Sequence, residues 1–378
     1  MNICFYFNGQ KHQILHGLAT ACALSHYPNI EITIASPNPS AIAYARAAAE
    51  RLSAGAIRFK ELDLPLLSLA RRLTGKEVPL KRLTLVAWSY WLQQFHAVAV
   101  TERTSTVLRH LGRRCPKLIH LDHGAGDRAA GIDARIRHFD FALLAGEKQR
   151  SLLLQRGIIT SERSAVVGYT KFEAADALRR QPRRLFAENM RPVVLYNPHF
   201  STLGSWNAMG QEILQQFAVQ DSYNLVVAPH VRALGSRRLA KEWRLLADAY
   251  AQHPAIHIDL ASDHCIDMTY TDQADVYLGD VSSQVYEFLR KTRPCLFLNP
   301  HRISWQSDPH YAHWQLGPVI QKADQIISAI DHAVGEHWHY AEKQKRAFQD
   351  TFSSTHIAPS KRAAAAIIAH LSATDFHK

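Results

Sequence analysis

The sequence contains little of what a disulfide framework, a structural zinc site or a membrane-spanning helix requires. Its 378 residues include only five cysteines, which lie far apart and form no C-x-x-C pair. Their odd number and scatter argue against both kinds of cysteine site and favour buried free thiols. No apolar run approaches the roughly 20 residues that a spanning helix needs, and Ile3–Phe7 follows the N-terminus without the basic lead of a secretory signal. These absences predict a cytoplasmic protein.

Motifs of several common enzyme classes are also missing. The sequence has no G-x-x-x-x-G-K-[ST], which argues against a P-loop nucleoside triphosphatase. The loop after the first predicted strand reads Asn8-Gly9-Gln10-Lys11 rather than G-x-G-x-x-G, which argues against a dinucleotide-binding dehydrogenase. There is no G-x-S-x-G nucleophile elbow and no H-E-x-x-H zinc motif.

The composition is that of a globular protein with a basic surface. Hydrophobic residues make up 47% of the chain and charged residues 20%, which excludes a mainly disordered protein. The length predicts about two domains. Lys and Arg total 44 against 33 Asp and Glu, a formal net charge of +11, so the expected partners are anionic. Nucleotides, nucleic acid and acidic lipid headgroups all satisfy that requirement.

Short apolar runs alternate with helical patterns over nearly the whole chain, which favours parallel sheets with crossover helices. We predict strands at Ile3–Phe7, Glu31–Ala35, Ala97–Thr101, Leu118–Leu121, Phe139–Ala145 and Ala165–Gly168, and a second series at Val193–Tyr196, Leu225–Ala228, Ile256–Asp259, Val276–Gly279 and Cys295–Leu298. Predicted helices include Ile14–Leu24, Ile42–Leu52, Trp206–Phe217, Arg238–Ala251, Ser282–Arg290 and Ser360–Leu371.

This pattern predicts an α/β protein with two successive domains and a C-terminal helix. The polar, basic stretch Arg179–Pro192 separates the two series of strands. We place the domains at residues 1–178 and 190–352, and the C-terminal helix within residues 353–378. Two such domains facing each other form a cleft, and ligands of open α/β sheets bind beyond the carboxyl ends of the strands. The residues directly after each strand are therefore the candidates for function.

The loop after the predicted strand Leu118–Leu121 carries candidate catalytic residues. It reads Asp122-His123-Gly124-Ala125-Gly126-Asp127-Arg128. Glycines let a ligand approach the backbone closely, and a histidine accepts a proton from a hydroxyl near neutral pH. We predict that His123 is a general base whose ring is oriented by Asp122 or Asp127, and that Gly124 and Arg128 bind substrate. The alternative is a histidine that is hydrogen-bonded within a turn.

A second loop joins the predicted strand that ends at Gly279 to the helix predicted to begin at Ser282. Free amides at a helix N-terminus and the hydroxyls of Ser282 and Ser283 are donors for an anion such as phosphate. One turn later, Glu287 is placed to reach a ribose hydroxyl. We predict that Asp280 also contributes to substrate binding. The alternative is ordinary capping of the helix by Asp280 or Ser282.

Two further histidines follow predicted strands of the second series. The strand ending at Ala228 is followed by Pro229-His230-Val231-Arg232, and the strand ending at Tyr196 by Asn197-Pro198-His199. Protonated histidine and arginine stabilise the charge on a departing phosphate without a metal. We predict that these loops bind substrate, with His230 also catalytic.

The stretch Leu64–Phe95 mixes five basic residues with leucine, tryptophan and tyrosine. Such a mixture is typical of an interfacial membrane contact. An ordinary amphipathic helix pair with a solvated basic face is the alternative.

Three of these elements resemble the family of CDP-glycerol glycerophosphotransferases of teichoic-acid synthesis. The C-terminal signature of that family is similar to Asp280-x-Ser282-Ser283, followed by Glu287-Phe288 and by Arg293-Pro294-Cys295-Leu296-Phe297. His123-Gly124-x-x-x-Arg128 resembles the family's His-Gly-x-x-x-Lys element with arginine in place of lysine, and His230 stands about where the family has a second histidine. The resemblance covers roughly residues 115–300.

The resemblance implies a GT-B fold, in which two Rossmann-like, doubly wound domains face a central cleft. It implies that His123 is the base toward the acceptor hydroxyl, that His230, Ser282 and Ser283 bind the phosphates of the donor, and that Glu287 lies near the ribose. The first domain would then bind the acceptor and the second the nucleotide donor.

The function predicted from the sequence is that of a transferase. It would move a glycerol-phosphate-type or glycosyl group from a nucleotide-activated donor, preferably CDP-linked, to a hydroxyl of a surface glycan or lipid-linked acceptor. We expect no cofactor and no tightly bound metal, no nucleic-acid partner, and peripheral contact with an anionic membrane at its inner face. The alternatives are a nucleotide-sugar epimerase of the same fold and a basic nucleic-acid-binding protein, which would show clustered Lys and Arg interleaved with aromatics.

Overall fold

The structure is a computed structural model that describes residues 1–74, 80–112, 114–124, 133–179, 185–186, 189–234 and 237–375. The chain divides into two compact units. The first domain comprises Met1–Gly124, Ile132–Leu178 and Gln349–Lys378, and the second contains Arg179–Phe348. No helix in these described ranges has the length and apolar character needed to cross a bilayer.

The first domain is built on a seven-stranded sheet in the order β3-β2-β1-β4-β5-β6-β7, and every pairing is parallel. The strands are β1 (Asn2–Tyr6), β2 (Glu31–Ser36), β3 (Ile57–Glu61), β4 (Ala97–Val100), β5 (Lys117–Leu121), β6 (Phe141–Leu144) and β7 (Ser164–Val166). The central strand β4 reads Ala-Val-Ala-Val and is buried throughout, as expected for a parallel strand covered on both faces.

Helices cover this sheet. They are α1 (Leu18–Leu24), α2 (Pro39–Arg51), α3 (Pro65–Thr74), α4 (Lys81–Ala87), α5 (Ser89–Leu92), α6 (Glu147–Gln155) and α7 (Thr170–Leu178). The start of α2 is specified locally, since Asn38 accepts a hydrogen bond from the Ser40 amide at 3.1 Å and Pro39 occupies the first helical position. Shorter 3-10 helices at Lys11–His16, Arg103–His110 and Ala134–His138 follow strand ends or loops.

The second domain has a six-stranded sheet in the order β10-β9-β8-β11-β12-β13, again parallel throughout. Its strands are β8 (Val193–Asn197), β9 (Asn224–Val227), β10 (Ile256–Ile258), β11 (Val276–Gly279), β12 (Cys295–Leu298) and β13 (Val319–Ile320). Its helices are α8 (Trp206–Ala218), α9 (Arg237–Tyr250), α10 (Thr269–Gln273), α11 (Gln284–Phe288), α12 (Ile326–Gly335) and α13 (Trp338–Thr351). Two further 3-10 helices lie at Val231–Leu234 and Pro309–Leu316.

Both sheets reverse their strand order next to their first strand, as in doubly wound nucleotide-binding folds. The reversal lies between β1 and β4 in the first domain and between β8 and β11 in the second. Ligands of such sheets bind at this switch point, beyond the carboxyl ends of the strands. The loops that follow β1, β4, β8 and β11 are therefore the places to look for a site.

The C-terminal helix α14 (Pro359–Asp375) belongs to the first domain, where it packs against α1. Its first turn is held by Glu173 of α7, which accepts a hydrogen bond from the Ser360 amide at 2.7 Å. Arg362 donates to the Val167 carbonyl at 2.8 Å. Gly168 beside it has φ +86, and a Cβ there would lie 2.7 Å from the Ser353 carbonyl oxygen, so this turn requires glycine.

The structure confirms the predicted fold class and all eleven predicted strands, with end points that move by at most two residues. The predicted helix Ile14–Leu24 is instead a 3-10 helix and α1, divided at Gly17. The predicted helix Ser282–Arg290 is shorter, because only Gln284–Phe288 is helical. Strands β3 and β13 were not predicted: β3 is a half-exposed edge strand with the polar sequence IRFKE, and β13 has only two residues.

Candidate functional site

In the second domain the ends of β8 and β11 are joined through the carboxylate of Asp280, which is almost completely buried. Its Oδ2 accepts hydrogen bonds from the Ser205 amide at 2.7 Å and from the Ser205 hydroxyl at 2.9 Å. Its Oδ1 accepts from the amides of Val281 at 2.6 Å and His199 at 3.1 Å. Burial raises the pKa of Asp280, and the hydrogen bonds from Ser205, His199 and Val281 oppose that rise. Asp280 therefore acts within the protein to fix the loop 198–205.

The backbone carbonyl of Asp280 also has hydrogen-bond partners. The Asp280 carbonyl accepts a hydrogen bond from the Trp314 indole at 2.7 Å, and His313 Nε2 lies 3.1 Å from it. Both residues come from the 3-10 helix Pro309–Leu316. No sequence motif pointed to them, because they contribute through a distant segment of chain.

Asn197 and Ser282 connect three strand ends. Asn197 donates from Nδ2 to the Ala228 carbonyl at 2.6 Å, and its Oδ1 accepts from the Ser282 hydroxyl at 3.0 Å. Ser282 is buried, whereas Ser283 is partly exposed and occupies the cap position of α11. Glu287 lies on the same short helix and is buried. Asn197 at the end of β8 and Ser282 after β11, both predicted to bind substrate, are thus in direct contact.

His199 and His230 lie together beside an exposed aromatic ring. Their ring centroids are 5.8 Å apart, and the ring of Phe200 lies 4.4 Å from His199 and 4.9 Å from His230. The guanidinium of Arg232 is 5.3 Å from the centre of the Phe200 ring. Phe200 is 41% exposed, so an aromatic face is presented between cationic or polar groups. Sequence reasoning missed Phe200, although its position three residues after β8 was a usable signal.

The local turns determine which ring nitrogen carries the proton in these two histidines. His199 Nδ1 accepts a hydrogen bond from the Ser201 amide at 3.1 Å, and His230 Nδ1 accepts from the Arg232 amide at 3.1 Å. A neutral imidazole whose Nδ1 accepts has its proton on Nε2. Both rings therefore present an N–H donor even when they are uncharged.

A cavity of about 960 Å³ adjoins this cluster. It is lined by the loop after β8, by Arg232 and by α8 and α9. Its volume lies at the upper end of the range for small-molecule sites, roughly 300–1,000 Å³. Gly204 lets the loop fold tightly at its rim, since a Cβ there would lie 2.1 Å from the His199 carbonyl oxygen.

In the first domain His123 directly follows Asp122 at the end of β5. Asp122 Oδ1 accepts a hydrogen bond from the His123 amide at 3.0 Å, so it fixes the backbone of the histidine. Burial raises the pKa of Asp122 to about 6, opposed by Arg103 and by hydrogen bonds that include the His123 amide. Gly124 has open space where a Cβ would be, as far as the described atoms go. Asp127 and Arg128, predicted to orient the base and bind substrate, lie outside the described residues.

A carboxylate that the sequence reading missed lies near His123. Glu102, two residues after β4, accepts hydrogen bonds from Lys81 at 3.0 Å and Gln13 at 2.8 Å. Burial acts to raise the pKa of Glu102. The charge of Lys81, the hydrogen bonds from Gln13 and Lys81, and positive charge on His123 all lower it and together outweigh burial, so the pKa of Glu102 is lowered. Glu102 is therefore anionic at neutral pH. Glu102 follows β4, which lies next to β5 in the sheet. The expectation that functional residues directly follow strands could therefore have identified it.

A second histidine accompanies His123. The ring of His16 is buried, with its centroid 6.3 Å from that of His123 in an edge-on arrangement. Burial lowers the pKa of His16 well below its ordinary value, and Lys171, His123 and His12 lower it further. His16 is therefore neutral near pH 7.

Within the described ranges, no group of three or more His, Cys, Asp or Glu side chains is arranged to hold a metal ion.

No model of a known protein family matches the chain, and no curated protein sequence matches it significantly. Solved structures do match over its whole length. UDP-GlcNAc 2-epimerase from Neisseria meningitidis, bound to UDP-GlcNAc, is 13% identical and aligns over 99% of this chain and 100% of its own with a TM-score of 0.63. The MnaA–UDP structure from S. aureus is 14% identical, with 99% and 97% coverage and a TM-score of 0.63.

The wall teichoic acid polymerase TagF is similar to the same extent. It is 12% identical and aligns over 100% of this chain and 90% of its own with a TM-score of 0.60. At such identities the likeness establishes the fold. The chain has the GT-B-type fold of these enzymes, with two Rossmann-like α/β domains.

Proposed function

We propose that this protein is a GT-B transferase. In this proposal it moves a glycerol-phosphate-type or glycosyl group from a nucleotide-activated donor, preferably CDP-linked, to a hydroxyl of a surface glycan or lipid-linked acceptor. The observation that carries the proposal is the cluster in the second domain, where His199 and His230 present Nε2–H donors beside Arg232. Donors and a cation at the carboxyl edge of a doubly wound sheet suit the phosphates of a nucleotide.

The second domain is the proposed donor-binding domain. His230, His199 and Arg232 would contact the diphosphate and stabilise the charge that develops on it as the nucleotide departs. The hydroxyl of Ser283, which is partly exposed, adds a donor, and Glu287 would accept from a ribose hydroxyl. Support comes from the similar structures, which were obtained with UDP-GlcNAc, with UDP and, for a TagF variant, with CDPG.

The first domain is the proposed acceptor-binding domain, with His123 as the general base. An acceptor hydroxyl has a pKa far above neutrality, so its attack needs a base that works near pH 7, and histidine meets that need. The anionic Glu102 would stabilise the imidazolium that forms when His123 takes the proton. Asp122 holds the backbone of the base in place through the His123 amide.

We further propose that transfer does not require a tightly bound divalent metal. The strand ends of the second domain supply histidine, arginine and serine as partners for phosphate, and the sequence has no Asp-x-Asp pair of the kind that holds a metal–diphosphate complex. Activity that disappears with EDTA and returns with magnesium or manganese would contradict this part of the proposal.

An epimerase that converts a nucleotide sugar without any acceptor is the second candidate. The N. meningitidis structure favours it, since that enzyme is a UDP-GlcNAc 2-epimerase of the same fold that aligns over 99% of this chain. Product analysis separates the candidates. An epimerase changes the sugar of the donor when the donor is incubated alone, whereas a transferase releases the nucleotide only when an acceptor is present.

The experiment that tests nucleotide binding is a thermal-shift series with conjugates of CDP, CMP, UDP, GDP and ADP. A ligand at about 100 times its dissociation constant stabilises the protein by about 2.7 kcal/mol, which is easily measured. Arg232→Gln should weaken the shift, whereas Arg238→Gln, an exposed arginine on α9, should leave it unchanged. If no nucleotide shifts the transition, the proposed function is wrong.

A lipid-linked acceptor would be met at a membrane. We therefore also propose that the enzyme is cytoplasmic and associates peripherally with the inner face of an anionic membrane.

A further inference from the structure

The cavity of about 960 Å³ in the second domain continues beyond the histidine cluster, between α8 and α9. We call this part the helix groove; it is lined by α8 from Trp206 to Gln215 and by α9 from Leu239 to Leu246. At about 1.5 Å per residue, the α8 wall is roughly 14 Å long. The proposed function uses only the end of the cavity at the histidines, so the helix groove is left without a role.

The wall that α8 contributes is a row of carboxamides. Asn207, Gln211 and Gln215 line the cavity and are exposed, and their spacing of four residues places them along one face of the helix. A carboxamide both donates and accepts hydrogen bonds. Glu212 lies on the same wall and adds acceptor oxygens. Hydroxyl groups also donate and accept, so this wall matches a ligand that carries many of them.

The opposite wall is mainly apolar. Leu239, Trp243 and Leu246 of α9 line it at a spacing of four and three, and Leu239 is 42% exposed. One wall of the helix groove therefore offers hydrogen bonds and the other offers apolar contact. A sugar ring has the same division, because its C–H groups form apolar faces and its hydroxyls project from its edge.

A stacked tryptophan pair lines the helix groove where the two helices meet. The ring centroids of Trp206 and Trp243 are 3.9 Å apart, with 24° between the ring planes. Gly210 leaves the room for Trp206, since a Cβ at this position would lie 2.5 Å from Cε3 of the indole. Glycine within a helix is destabilising relative to alanine. Its presence in α8 is therefore explained by the placement of the indole, which makes the groove preformed.

The charges that line the helix groove disfavour an anionic chain. Beyond Arg232, the charged side chains among the described lining residues are Glu212 and Glu242, and Glu242 is paired with Arg238 at 2.8 Å. Phosphate or carboxylate groups along the ligand would be repelled by these carboxylates. A protein partner also matches poorly, because the core of a protein–protein interface is depleted of charged residues. A neutral, hydroxyl-rich ligand fits both walls.

We propose that the helix groove binds a short stretch of neutral sugar residues of a glycan. The α8 wall of roughly 14 Å is longer than one sugar ring, so the ligand is a chain rather than a monosaccharide. The identification of this chain with the remote part of the acceptor rests on the proposed function, because binding energy from non-reacting parts of a substrate supports catalysis. The contact with a neutral glycan does not depend on it.

Oligosaccharide binding by the full chain tests the proposal. An array of neutral oligosaccharides identifies the ligand, and isothermal titration measures its dissociation constant, with trigalacturonate as the anionic comparison. We expect a neutral oligosaccharide to bind and trigalacturonate to bind at least about tenfold more weakly. The double variant Gln211→Leu, Gln215→Leu keeps the size of both side chains but removes their hydrogen bonds, and it should raise the dissociation constant at least about tenfold.

The matched control is Gln155→Leu, Gln252→Leu, which replaces two exposed glutamines that do not line the cavity. It should bind the oligosaccharide like the unmodified protein. The double variant Glu212→Gln, Glu242→Gln should retain the neutral ligand and bind trigalacturonate more tightly. The proposal is overturned if no neutral oligosaccharide binds, if the two leucine variants bind equally, or if trigalacturonate binds as well as the neutral ligand. Selection of peptides from a random display library, with no oligosaccharide bound, would assign the groove to a protein partner instead.

The nucleotide thermal-shift series on the same proteins keeps the two proposals apart. The Gln211→Leu, Gln215→Leu variant should keep its melting temperature, which shows that it is folded, and its nucleotide shift. Oligosaccharide binding without any nucleotide shift would refute the proposed function and leave the glycan contact standing. A nucleotide shift without oligosaccharide binding would refute only the glycan contact.

Discussion

Replacing Asp280 with asparagine tests whether this carboxylate organises the strand ends of the second domain or contacts a ligand. Oδ2 accepts from the amide and hydroxyl of Ser205 at 2.7 and 2.9 Å, and Oδ1 accepts from the Val281 amide at 2.6 Å. The His199 amide lies 3.1 and 3.2 Å from the two oxygens. Asparagine has only one acceptor oxygen. Whichever way its amide is turned, the NH₂ group faces a backbone donor.

The magnitude follows from these contacts. A hydrogen bond to a charged group contributes roughly 1.5–3 kcal/mol, and a buried donor left without an acceptor costs roughly 1–3 kcal/mol. Burial also raises the pKa of Asp280, so the folded protein bears a desolvation cost for the charge that asparagine removes. We therefore expect the free energy of unfolding to fall by about 2–3 kcal/mol, toward the lower end of the combined range.

Denaturant titration followed by tryptophan fluorescence measures the loss, and hydrogen exchange over residues 193–298 assigns it to the second domain. Asp248→Asn, at an exposed position of α9, is the control and should change stability little. Nucleotide affinity should fall only as far as the loop 198–205 becomes less ordered. A variant with unchanged stability and abolished nucleotide binding would refute the reasoning, because Asp280 would then be a ligand-binding residue.

The remaining predictions concern the first domain and the rim of the cavity. His123→Ala should lower turnover roughly 10²–10⁴-fold while the nucleotide thermal shift is preserved, and near-normal turnover with the true acceptor would exclude it as the base. Burial raises the pKa of Asp122 from 3.8 to about 6 in the folded protein, so the folded state binds this proton more tightly than the unfolded state. The protonated carboxyl therefore contributes fully to the free energy of unfolding below about pH 4, and this contribution is lost as the pH rises to about 6. The loss is of order 2–3 kcal/mol, and Asp122→Asn should remove it, which denaturant titrations at several pH values would measure. If the pH dependence of the free energy of unfolding is unchanged in this variant, the raised pKa does not belong to Asp122. Gly204→Ala should lower the melting temperature and weaken nucleotide binding, since its Cβ would collide with the His199 carbonyl; a variant that behaves like the unmodified protein would contradict this.

The fold could be predicted from the sequence because its strands are short, apolar and separated by turn and helix signals. Runs such as Val276–Gly279 and Cys295–Leu298 are bounded by polar residues or proline, and their end points agree with the structure. Ile57–Glu61 escaped notice because an edge strand is half exposed and alternates apolar with charged residues. The continuous apolar run that identifies a buried parallel strand is not present there.

The candidate site was predictable only as far as it lies directly after strands. Asn197, His199, Asp280 and Ser282 were found by that rule. The structure joins His199 to Asp280 and Asn197 to Ser282 by hydrogen bonds. Trp314 could not be found, because its contact with the Asp280 carbonyl joins segments 34 residues apart. Glu102 follows the same strand-end rule but was overlooked, since a single glutamate after a short strand has no distinctive motif.

The three strand-end histidines look equivalent in the sequence, and the structure separates two of them by the hydrogen bonds of Nδ1. In His199 and His230, Nδ1 accepts from a backbone amide two residues ahead, which places the proton on Nε2 and makes each ring a donor. A donor is suited to a phosphate oxygen and unsuited to removing a proton from a hydroxyl. His123 instead lies in a domain where Glu102 is anionic, the condition that stabilises an imidazolium once it forms. The proposed roles, His123 as base and His199 and His230 as phosphate donors, therefore rest on backbone turns and one carboxylate rather than on the identity of the histidines.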